Sequence, residues 1–387
     1  MKIVVAPNAF KGSLSAAQAA DAMSDGVRRV FAGASIHAMP VADGGDGLLD
    51  ILEKPLQAQR LVRNVSGPLG ETAQAPFLYS PSHRLAIIEM AAAAGLALLP
   101  ADRLDVLQAS TLGVGQLLQA ALELGARHIV LGIGGSATTD AATGLATALG
   151  MRFLDQAGNP LAGNGANLSH ICRIDSSGLD SRLAGVRLEV ACDVDNPLLG
   201  EHGAARIYAP QKGAGPDEVA LLEQGLASLA DVIERQFGID VRELPGGGAA
   251  GGMGAGLTAL FQAELKPGAQ LVLELLQVES AIASADLVLT GEGRLDYQTR
   301  YGKAPGAVAA LAGKHAVPCI AVAGMLDDSA YELHDSGFTA VFSLCPGPVS
   351  QQQALTHSAE YLARSTEQAL RCLQAGAQGG RANGSLS

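Results

Sequence analysis

The chain has 387 residues, 48% of them hydrophobic, and a formal net charge of −12. This length is too great for one hydrophobic core and predicts two domains. The acidic balance, with no tryptophan to stack on bases, argues against a nucleic-acid-binding protein, whose affinity for phosphodiesters needs a surplus of lysine and arginine.

Strands and helices are predicted to alternate at both ends of the chain. The predicted N-terminal elements are a strand at 3–6, a helix at 15–29, a strand at 36–41 and a helix after residue 47. The predicted C-terminal elements are strands at 285–289, 318–323 and 339–344 and helices at 305–315 and 357–373. Such alternation predicts a parallel sheet covered by helices on both faces.

The middle of the chain has a different pattern. Short apolar runs at 62–65, 73–79 and 85–90, separated by Gly-Pro and Ser-Pro turns, predict an antiparallel patch. The elements predicted beyond it are helices at 106–124 and 217–237, strands that end near 132 and 191, and a glycine-dense segment at 246–256 that leads into a helix at 257–265.

These patterns favour a discontinuous domain organisation. Residues 1–65 and 284–374 would form a Rossmann-like α/β domain and residues 66–283 an inserted α/β domain, with a ligand cleft between them. Two domains consecutive in sequence are the alternative. Residues 375–387 lack an apolar pattern, which predicts a disordered tail.

Cysteine usage and hydropathy indicate the compartment. The five cysteines form no C-x-x-C pair, which is typical of buried thiols in a reducing environment. The chain opens on the strand-like MKIVVAP rather than a signal-peptide pattern, and no uncharged apolar run reaches the roughly 18 residues of a membrane span. We therefore expect a cytoplasmic protein.

Four loops that mix glycine with acidic residues each follow a strand-like run. They are ADGGDG (42–47), GIGGSATTD (132–140), ACDVDNP (191–197) and TGEGRLD (290–296). Ligands of open α/β sheets bind beyond the carboxyl ends of the strands. Glycine lets backbone N–H groups approach an anion, and carboxylates hold divalent metals. The four loops together predict an enzyme that handles phosphate and a metal ion.

Each loop also has a purely structural interpretation. The hydroxyls and the carboxylate of residues 136–140 could cap a helix instead of binding phosphate and Mg²⁺. Asp43 and Asp46 could cap the next helix, and Asp193 and Asp195 could form an Asx-turn. The loop around Glu292, between two glycines, is the one least explained by structure alone.

Lysine is rare in this chain, with seven lysines against nineteen arginines. Three lysines stand beside glycine in loop-like settings, namely Lys11, Lys212 and Lys303, and a compact ammonium next to permissive backbone suits a phosphate. Solvated surface lysines are the alternative. A Walker A sequence is absent. The dinucleotide fingerprint is matched only loosely, and no acidic residue ends a following strand about twenty residues later to bind a ribose, which disfavours NAD and a dehydrogenase. Histidine spacing supports neither a metal site nor a Ser-His-Asp arrangement.

The assembled motifs resemble a known family. The segments that carry the resemblance are APNAFKGSLSA (6–16), ADGGDG (42–47), SGPLG (66–70), EMAAAAGL (89–96), LGIGGSATTD (131–140), ACDVDNPLLG (191–200), PQKGAG (210–215) and TGEGRLDYQTRYGKAPGAV (290–308). In order and length they resemble the bacterial glycerate kinases of the two-domain type over residues 1–372. The resemblance implies an ATP- and Mg²⁺-dependent kinase that converts D-glycerate to 2-phosphoglycerate.

The chain departs from the common family pattern at five positions. Asn8 stands where the family often has aspartate, Asp46 where glutamate is usual and Thr139 where asparagine is usual. Ala141 and Ala142 replace glycines. Because Asn8 carries no charge, it is not assigned as a catalytic base.

Within this resemblance, site residues receive expected roles. The expected catalytic residues are Asp193, Lys11 and Asp46. The expected ATP-binding residues are Gly134, Gly135, Ser136, Lys212, Gly291, Glu292, Gly293, Asp296 and Lys303. The substrate carboxylate is expected on an arginine or lysine and on a helix N-terminus, for which 134–138 is an alternative candidate. The expected Mg²⁺ ligands are Asp43, Asp46, Asp193 and Glu292. The expected partners are D-glycerate and ATP, with neither nucleic acid nor membrane, and the expected assembly is a monomer or homodimer.

Three other functions are compatible with these residues. One is a kinase or phosphatase acting on another small hydroxy acid or sugar acid with the same scaffold. A ligand-binding regulator without turnover and a dehydrogenase are the others.

Overall fold

The structure, a computed structural model, describes residues 1–44, 47–300 and 302–383, with side-chain environments to residue 376. The chain divides into two compact units, which are Met1–Asp43 with Ala269–Ser387 (unit 1) and Gly44–Gly268 (unit 2). The boundaries predicted from the sequence lie at 65/66 and 283/284. The first boundary differs because strand Gln59–Ser66 pairs along its whole length with Thr72–Ser80 and so belongs to the sheet of unit 2.

The strands follow one another along both units. Strands β1 to β16 are, in order, Lys2–Val5, Ser35–Ala38, Gln59–Ser66, Thr72–Ser80, Leu85–Glu89, His128–Gly132, Arg152–Leu154, Pro160–Leu161, Arg173–Asp175, Arg187–Ala191, Glu264–Lys266, Leu287–Thr290, Arg294–Leu295, Cys319–Ala323, Met325–Leu326 and Ala340–Ser343.

The α-helices range from one turn to seven. Helices α1 to α13 are, in order, Ala16–Val30, Leu48–Leu52, Ala91–Ala94, Leu112–Glu123, Thr143–Ala148, Ala204–Tyr208, Pro216–Phe237, Ala249–Phe261, Gly268–Leu275, Val278–Ile282, Ala304–Lys314, Gln351–Thr356 and Ser358–Asn383. No helix in the described part of the chain is long and apolar enough to span a membrane.

Unit 1 is built on a parallel sheet. Within its described residues the sheet has five strands in the order β16-β14-β12-β1-β2. Numbered along this unit alone, the order is 2-1-3-4-5, the doubly wound arrangement of flavodoxin type. Helices α1 and α13 cover one face through side chains such as Met23 and Leu370, while α11 contacts β12 and β14. The predicted α/β class and Rossmann-like parallel sheet are confirmed.

The strand order of this sheet reverses between β1 and β12. Ile3 pairs with Leu287, and the amide of Asn8, just beyond β1, donates to the carbonyl of Gly291, just beyond β12, at 2.8 Å. Ligands of doubly wound sheets bind at such a switch point, outside the carboxyl ends of the strands. The loops after β1 and β12 are therefore the part of unit 1 where a ligand is expected.

Unit 2 contains a mixed sheet in the order β11-β10-β6-β5-β4-β3. Strands β11, β10, β6 and β5 are parallel, whereas β5, β4 and β3 are antiparallel neighbours, as predicted for this region. One core lies between this sheet and helices α4 and α8. A second core packs α7 through Leu222, Leu226 and Leu229 against the small sheet that includes Phe153.

Three local predictions need correction. Helix α4 begins at Leu112, not 106, because the Thr111 amide bonds to the Asp140 carboxylate instead of continuing a helix. The glycine-dense segment lies largely within α8, which bends where Ala250, Gly251 and Gly252 adopt left-handed φ, and α8 ends at Phe261. Helix α13 continues to Asn383, into the segment predicted as a disordered tail.

Candidate functional site

The loop after β6 forms a braced turn in unit 2. Gly135 has φ of +69°, a left-handed conformation that side chains rarely adopt. Its carbonyl accepts the Leu96 amide at 2.8 Å, and the Ala137 amide donates to the Ala94 carbonyl at 2.9 Å. These bonds on either side of Ser136 fix its position relative to the segment that follows α3.

Lys212 lies behind this loop, with only 2% of its surface exposed. Its Nζ donates to Ser136 Oγ at 2.8 Å and to the Thr138 carbonyl at 2.6 Å. Burial lowers the pKa of Lys212 to about 7, and the negative charge of Asp140 opposes that shift. The ammonium is thus desolvated and held by neutral oxygens, a setting in which a bound anion would strongly favour the charged form.

Lys212 lines a pocket of about 390 Å³ within unit 2. The predicted residues Gly134, Gly135, Ser136, Lys212 and Asp193 all line this pocket. Its other lining residues are Leu96, Ile133, Ala191, Cys192, Val194, Tyr208, Gln211, Ala249 and Ala250. The structure thus brings together two loops and one lysine that are far apart in the sequence.

Tyr208 and Gln211 also line the pocket, although neither was predicted from the sequence as a site residue. Gln211 stands directly before Lys212, so its proximity was available from the lysine itself. Tyr208 lies at the end of the short helix α6, and its hydroxyl donates to Asn196 Oδ1 at 2.7 Å. No motif marks that tyrosine, and only the fold of 192–212 places it against the pocket.

Asp193 is exposed at this pocket and is oriented by the backbone. Its Oδ1 accepts the amide of Gly268 at 2.7 Å. The neighbouring Asn196 has a structural role, since its Nδ2 donates to the His202 carbonyl at 2.8 Å and its Oδ1 accepts the Tyr208 hydroxyl. The loop therefore combines a structural amide with a carboxylate that lines the pocket.

Asp140 has the structural role that the sequence left open. It is fully buried, and its carboxylate accepts the Thr111 amide and hydroxyl, each at 2.8 Å, and the amides of Ala142 and Gly144, each at 3.2 Å. Burial raises the pKa of Asp140, and these hydrogen bonds act in the opposite direction. This carboxylate caps α5 and ties it to the start of α4.

The two alanines at the start of α5 have left-handed backbone. Ala141 and Ala142 have φ of +47° and +63°. Glycine adopts this left-handed conformation without the steric cost, of about 1–2 kcal/mol, that a Cβ brings. The glycines usual at these positions thus match the backbone that this chain adopts.

Unit 1 carries acidic side chains at the switch point of its sheet. Asp43 accepts the Ala304 amide at 2.7 Å, which caps α11, and the Asn8 Nδ2 at 3.0 Å. The predicted alternative, in which the 42–47 loop caps the next helix, does not apply to Asp43. The first amide of that helix, Leu48, donates instead to Glu89 Oε1 at 2.8 Å.

Glu292 follows β12 directly and is only 7% exposed. Thr299 Oγ1 donates to its Oε1 at 3.3 Å. Burial raises the pKa of Glu292 to about 7; the charge of Lys303 lowers it, whereas those of Asp43 and Asp296 raise it further. A cation at this position would relieve the repulsion between the carboxylates.

The burial of Glu292 predicts a pH-dependent stability. Its folded pKa lies above its ordinary value of 4.5, so the folded state binds more protons between pH 4.5 and 7. As pH rises through this window, the free energy of unfolding of wild type should fall relative to that of Glu292→Gln, by about 3 kcal/mol at most. Above pH 7 the difference between the two proteins should stay constant. Urea denaturation in EDTA from pH 5 to 8 measures this. The matched control is Glu360→Gln, at an exposed position of α13, and identical profiles for both variants would contradict the expectation.

The remaining predicted residues of unit 1 surround Glu292. Lys303 Nζ lies 3.5 Å from Asp296 Oδ1, and Arg294 Nε lies 3.4 Å from Asp296 Oδ2. Lys11 is exposed in the turn between Phe10 and Leu14. A Cβ added at Gly293 would lie 3.3 Å from the Lys11 backbone nitrogen, so these two loops are adjacent.

Gly291 and Asp46 complete the predicted set. A Cβ added at Gly291 would lie 2.0 Å from the Val322 carbonyl, so close packing against β14 already requires glycine there. Asp46 lies outside the described residues.

A magnesium ion fits the unit 1 carboxylates only as a partly protein-bound cation. Among the described residues there is no cluster of three or more carboxylate, histidine or cysteine side chains placed to hold a metal. Mg²⁺ usually takes one or two protein carboxylates and completes its shell with water and substrate phosphates. Buried Glu292, whose pKa the nearby Asp43 charge raises, is compatible with that mode.

Comparison with known proteins identifies the family. The family model described as "Glycerate kinase family" matches residues 3–374. The chain belongs to the glycerate kinase family. Within that family it is 46% identical over 365 residues to the glycerate kinase of Bacillus subtilis strain 168, covering 94% of this chain and 96% of the relative.

A second relative and a solved structure agree with this membership. The glycerate 2-kinase of Escherichia coli K12 is 45% identical, over 89% of this chain and 90% of its own. The crystal structure of a protein assigned as glycerate kinase 2 from Salmonella typhimurium LT2 is 42% identical, with a TM-score of 0.89 over 98% of this chain and 99% of its own. The chain is therefore a kinase with the fold of this family.

Proposed function

We propose that this kinase transfers the γ-phosphoryl group of ATP to D-glycerate, with Mg²⁺, and releases 2-phosphoglycerate. Family membership and the name of the Escherichia coli relative support the substrate and the position of transfer. The observation that carries the proposal is the pocket in which Lys212 Nζ contacts Ser136 Oγ and the Thr138 carbonyl beside two glycines. A buried ammonium held by neutral oxygens next to accessible backbone is suited to bind an anionic oxygen.

The proposed roles of the unit 1 residues concern the nucleotide. Gly291, Glu292, Gly293, Asp296 and Lys303 would bind its phosphates, with Asp43 and Glu292 in contact with Mg²⁺. The bound cation would neutralise charge on the phosphates. Enzymes catalyse phosphoryl transfer mainly by positioning the reactants and by such electrostatic stabilisation. Lys11 would add positive charge, and the predicted role of Asp46 stays a prediction.

The proposed role of Asp193 is to accept the proton of the attacking hydroxyl. It lines the same pocket as Lys212, and its Oδ1 is oriented by the Gly268 amide. A carboxylate held in this way can orient and deprotonate an alcohol during in-line transfer. The sequence predicts that Gly134, Gly135, Ser136 and Lys212 contact ATP. The proposal made here is broader, namely that they contact an anionic group of one of the two substrates.

An ADP-release assay with purified protein, D-glycerate and Mg·ATP tests the function. We expect turnover that requires both substrates and stops in EDTA. Enolase should consume the product directly, because it acts on 2-phosphoglycerate, whereas 3-phosphoglycerate would first need a mutase. ADP release that is independent of the acceptor would contradict the proposal.

A panel of other hydroxy acids and sugar acids, with products identified by mass spectrometry, tests the closest alternative. Preferred turnover of another acceptor would show a kinase of different substrate specificity. We further propose a cytoplasmic location, which fractionation of cells would test. We also propose a monomeric or homodimeric state, which sedimentation of the purified protein would test.

A further inference from the structure

We infer that the Lys212 pocket of unit 2 binds the carboxylate of a small hydroxy acid, the phosphoryl acceptor, rather than the phosphates of the nucleotide. This inference rests on the proposed kinase function and names the substrate that occupies this pocket. The sequence predicted ATP contacts for Ser136 and Lys212 and also offered 134–138 as a candidate site for the substrate carboxylate; the inference selects acceptor contacts for both residues.

The donors at the base of the pocket match a carboxylate. A lysine ammonium has three N–H donors, and two of them are used by Ser136 Oγ and the Thr138 carbonyl. Ser136 Oγ accepts from Lys212, so its own hydrogen remains to be donated, and among the described residues no acceptor contacts it. One N–H and one O–H, on atoms 2.8 Å apart, are thus available to the two oxygens of one carboxylate.

The charges of the pocket also favour a hydroxy acid. Among its described lining residues Lys212 is the only cationic side chain and Asp193 the only acidic one. A hydroxy acid complements both, because its carboxylate pairs with the ammonium and its hydroxyl donates to the Asp193 carboxylate. A triphosphate brings several negative charges to one cation and one carboxylate, which is a poor electrostatic match.

The walls of the pocket strengthen the proposed ion pair. Leu96, Ile133 and Val194 line it with apolar side chains. Water excluded by these side chains no longer screens the carboxylate from Lys212, so their attraction increases. Binding would also return the pKa of Lys212, lowered to about 7 by burial, towards its ordinary value.

Calorimetry on the full chain tests the assignment. D-glycerate is titrated alone and with Mg²⁺ and a non-hydrolysable ATP analogue, and the analogue is titrated separately. For Lys212→Met we expect at least 30-fold weaker D-glycerate binding and a matching rise in KM for D-glycerate. Affinity for the analogue and KM for ATP should stay within twofold. Lys54→Met, the same change at an exposed lysine of unit 2, is the matched control and should match wild type.

A second variant covers the case in which Lys212→Met does not fold. Ser136→Ala removes one donor and leaves the ammonium, and we expect five- to tenfold weaker D-glycerate binding with unchanged nucleotide affinity. The preference of the enzyme for D-glycerate over glycerol, which lacks the carboxylate, should shrink by the same factor.

Other outcomes would overturn the assignment. Weaker nucleotide binding with unchanged D-glycerate binding would place the phosphates at Lys212. Equal losses for both ligands, no loss for either, or no D-glycerate binding by wild type would also refute it. If wild type binds D-glycerate but phosphorylates no acceptor, the proposed function fails while the calorimetry still decides the occupant of the pocket.

Discussion

Replacement of Asp193 by asparagine is expected to lower kcat at least 100-fold, which is about 2.7 kcal/mol of transition-state stabilisation. Asparagine keeps the shape of the side chain and an oxygen that can accept the Gly268 amide, now at 2.7 Å. It removes the negative charge that would accept the proton of the attacking hydroxyl. Steady-state kinetics with D-glycerate and Mg·ATP measure the effect, with KM reported separately for each substrate.

Asp195 provides the matched control for this variant. It is an exposed carboxylate two residues further along the same loop and does not line the Lys212 pocket. Asp195→Asn should keep kcat within about twofold of wild type. If Asp193→Asn loses less than tenfold in kcat, Asp193 is neither the base nor a principal metal ligand.

Removal of the Asp140 carboxylate should cause a large loss of stability. Asp140→Ala leaves the Thr111 amide and hydroxyl and the amides of Ala142 and Gly144 buried without this acceptor. Loss of a buried, multiply bonded carboxylate should cost roughly 3–5 kcal/mol. Urea denaturation of the purified variant, followed by circular dichroism, measures this.

Asparagine at position 140 keeps the shape of the side chain, but it removes the charge and replaces one acceptor oxygen by an NH₂ donor. Both carboxylate oxygens accept from N–H donors, Oδ2 from Thr111 and Gly144 and Oδ1 from Ala142. An amide would turn its NH₂ group towards one set of these donors, so Asp140→Asn should also be destabilised by several kcal/mol. Asp102→Ala, at an exposed position of unit 2, should change stability little. Near wild-type stability of Asp140→Asn would argue against the capping role.

Signals confined to a few neighbouring residues were readable from the sequence. A helix was predicted from residue 15, and Ser15 is the N-cap of α1. It forms a capping box, in which the Gln18 amide donates to Ser15 Oγ and the Ser15 amide donates to Gln18 Oε1. The rarity of lysine drew attention to Lys212 before any fold was known. The parallel sheet of unit 1 and the antiparallel strands of unit 2 followed from hydrophobic periodicity.

Features that depend on distant partners were not readable in the same way. The sequence left the role of Asp140 open between a helix cap and a phosphate site, because its partner Thr111 is 29 residues away. Asp43 caps α11, which begins 261 residues later, so no local pattern could show that bond. The predicted helix began only at 257, after the glycine-dense segment, because glycine disfavours helix. Close packing requires glycine within α8, since a Cβ at Gly251 would lie 2.2 Å from the Thr138 carbonyl.

The position of β1 in its sheet has a consequence for biosynthesis. In the sheet of unit 1, β1 lies between β2 and β12, and β12 begins only at Leu287, after the whole of unit 2. Unit 2, a continuous segment, can complete its contacts during translation, while β1 must wait until β12 has been synthesised. Nascent chains arrested before residue 287 should therefore expose the apolar side chains of β1 and α1, and be a natural target for chaperones.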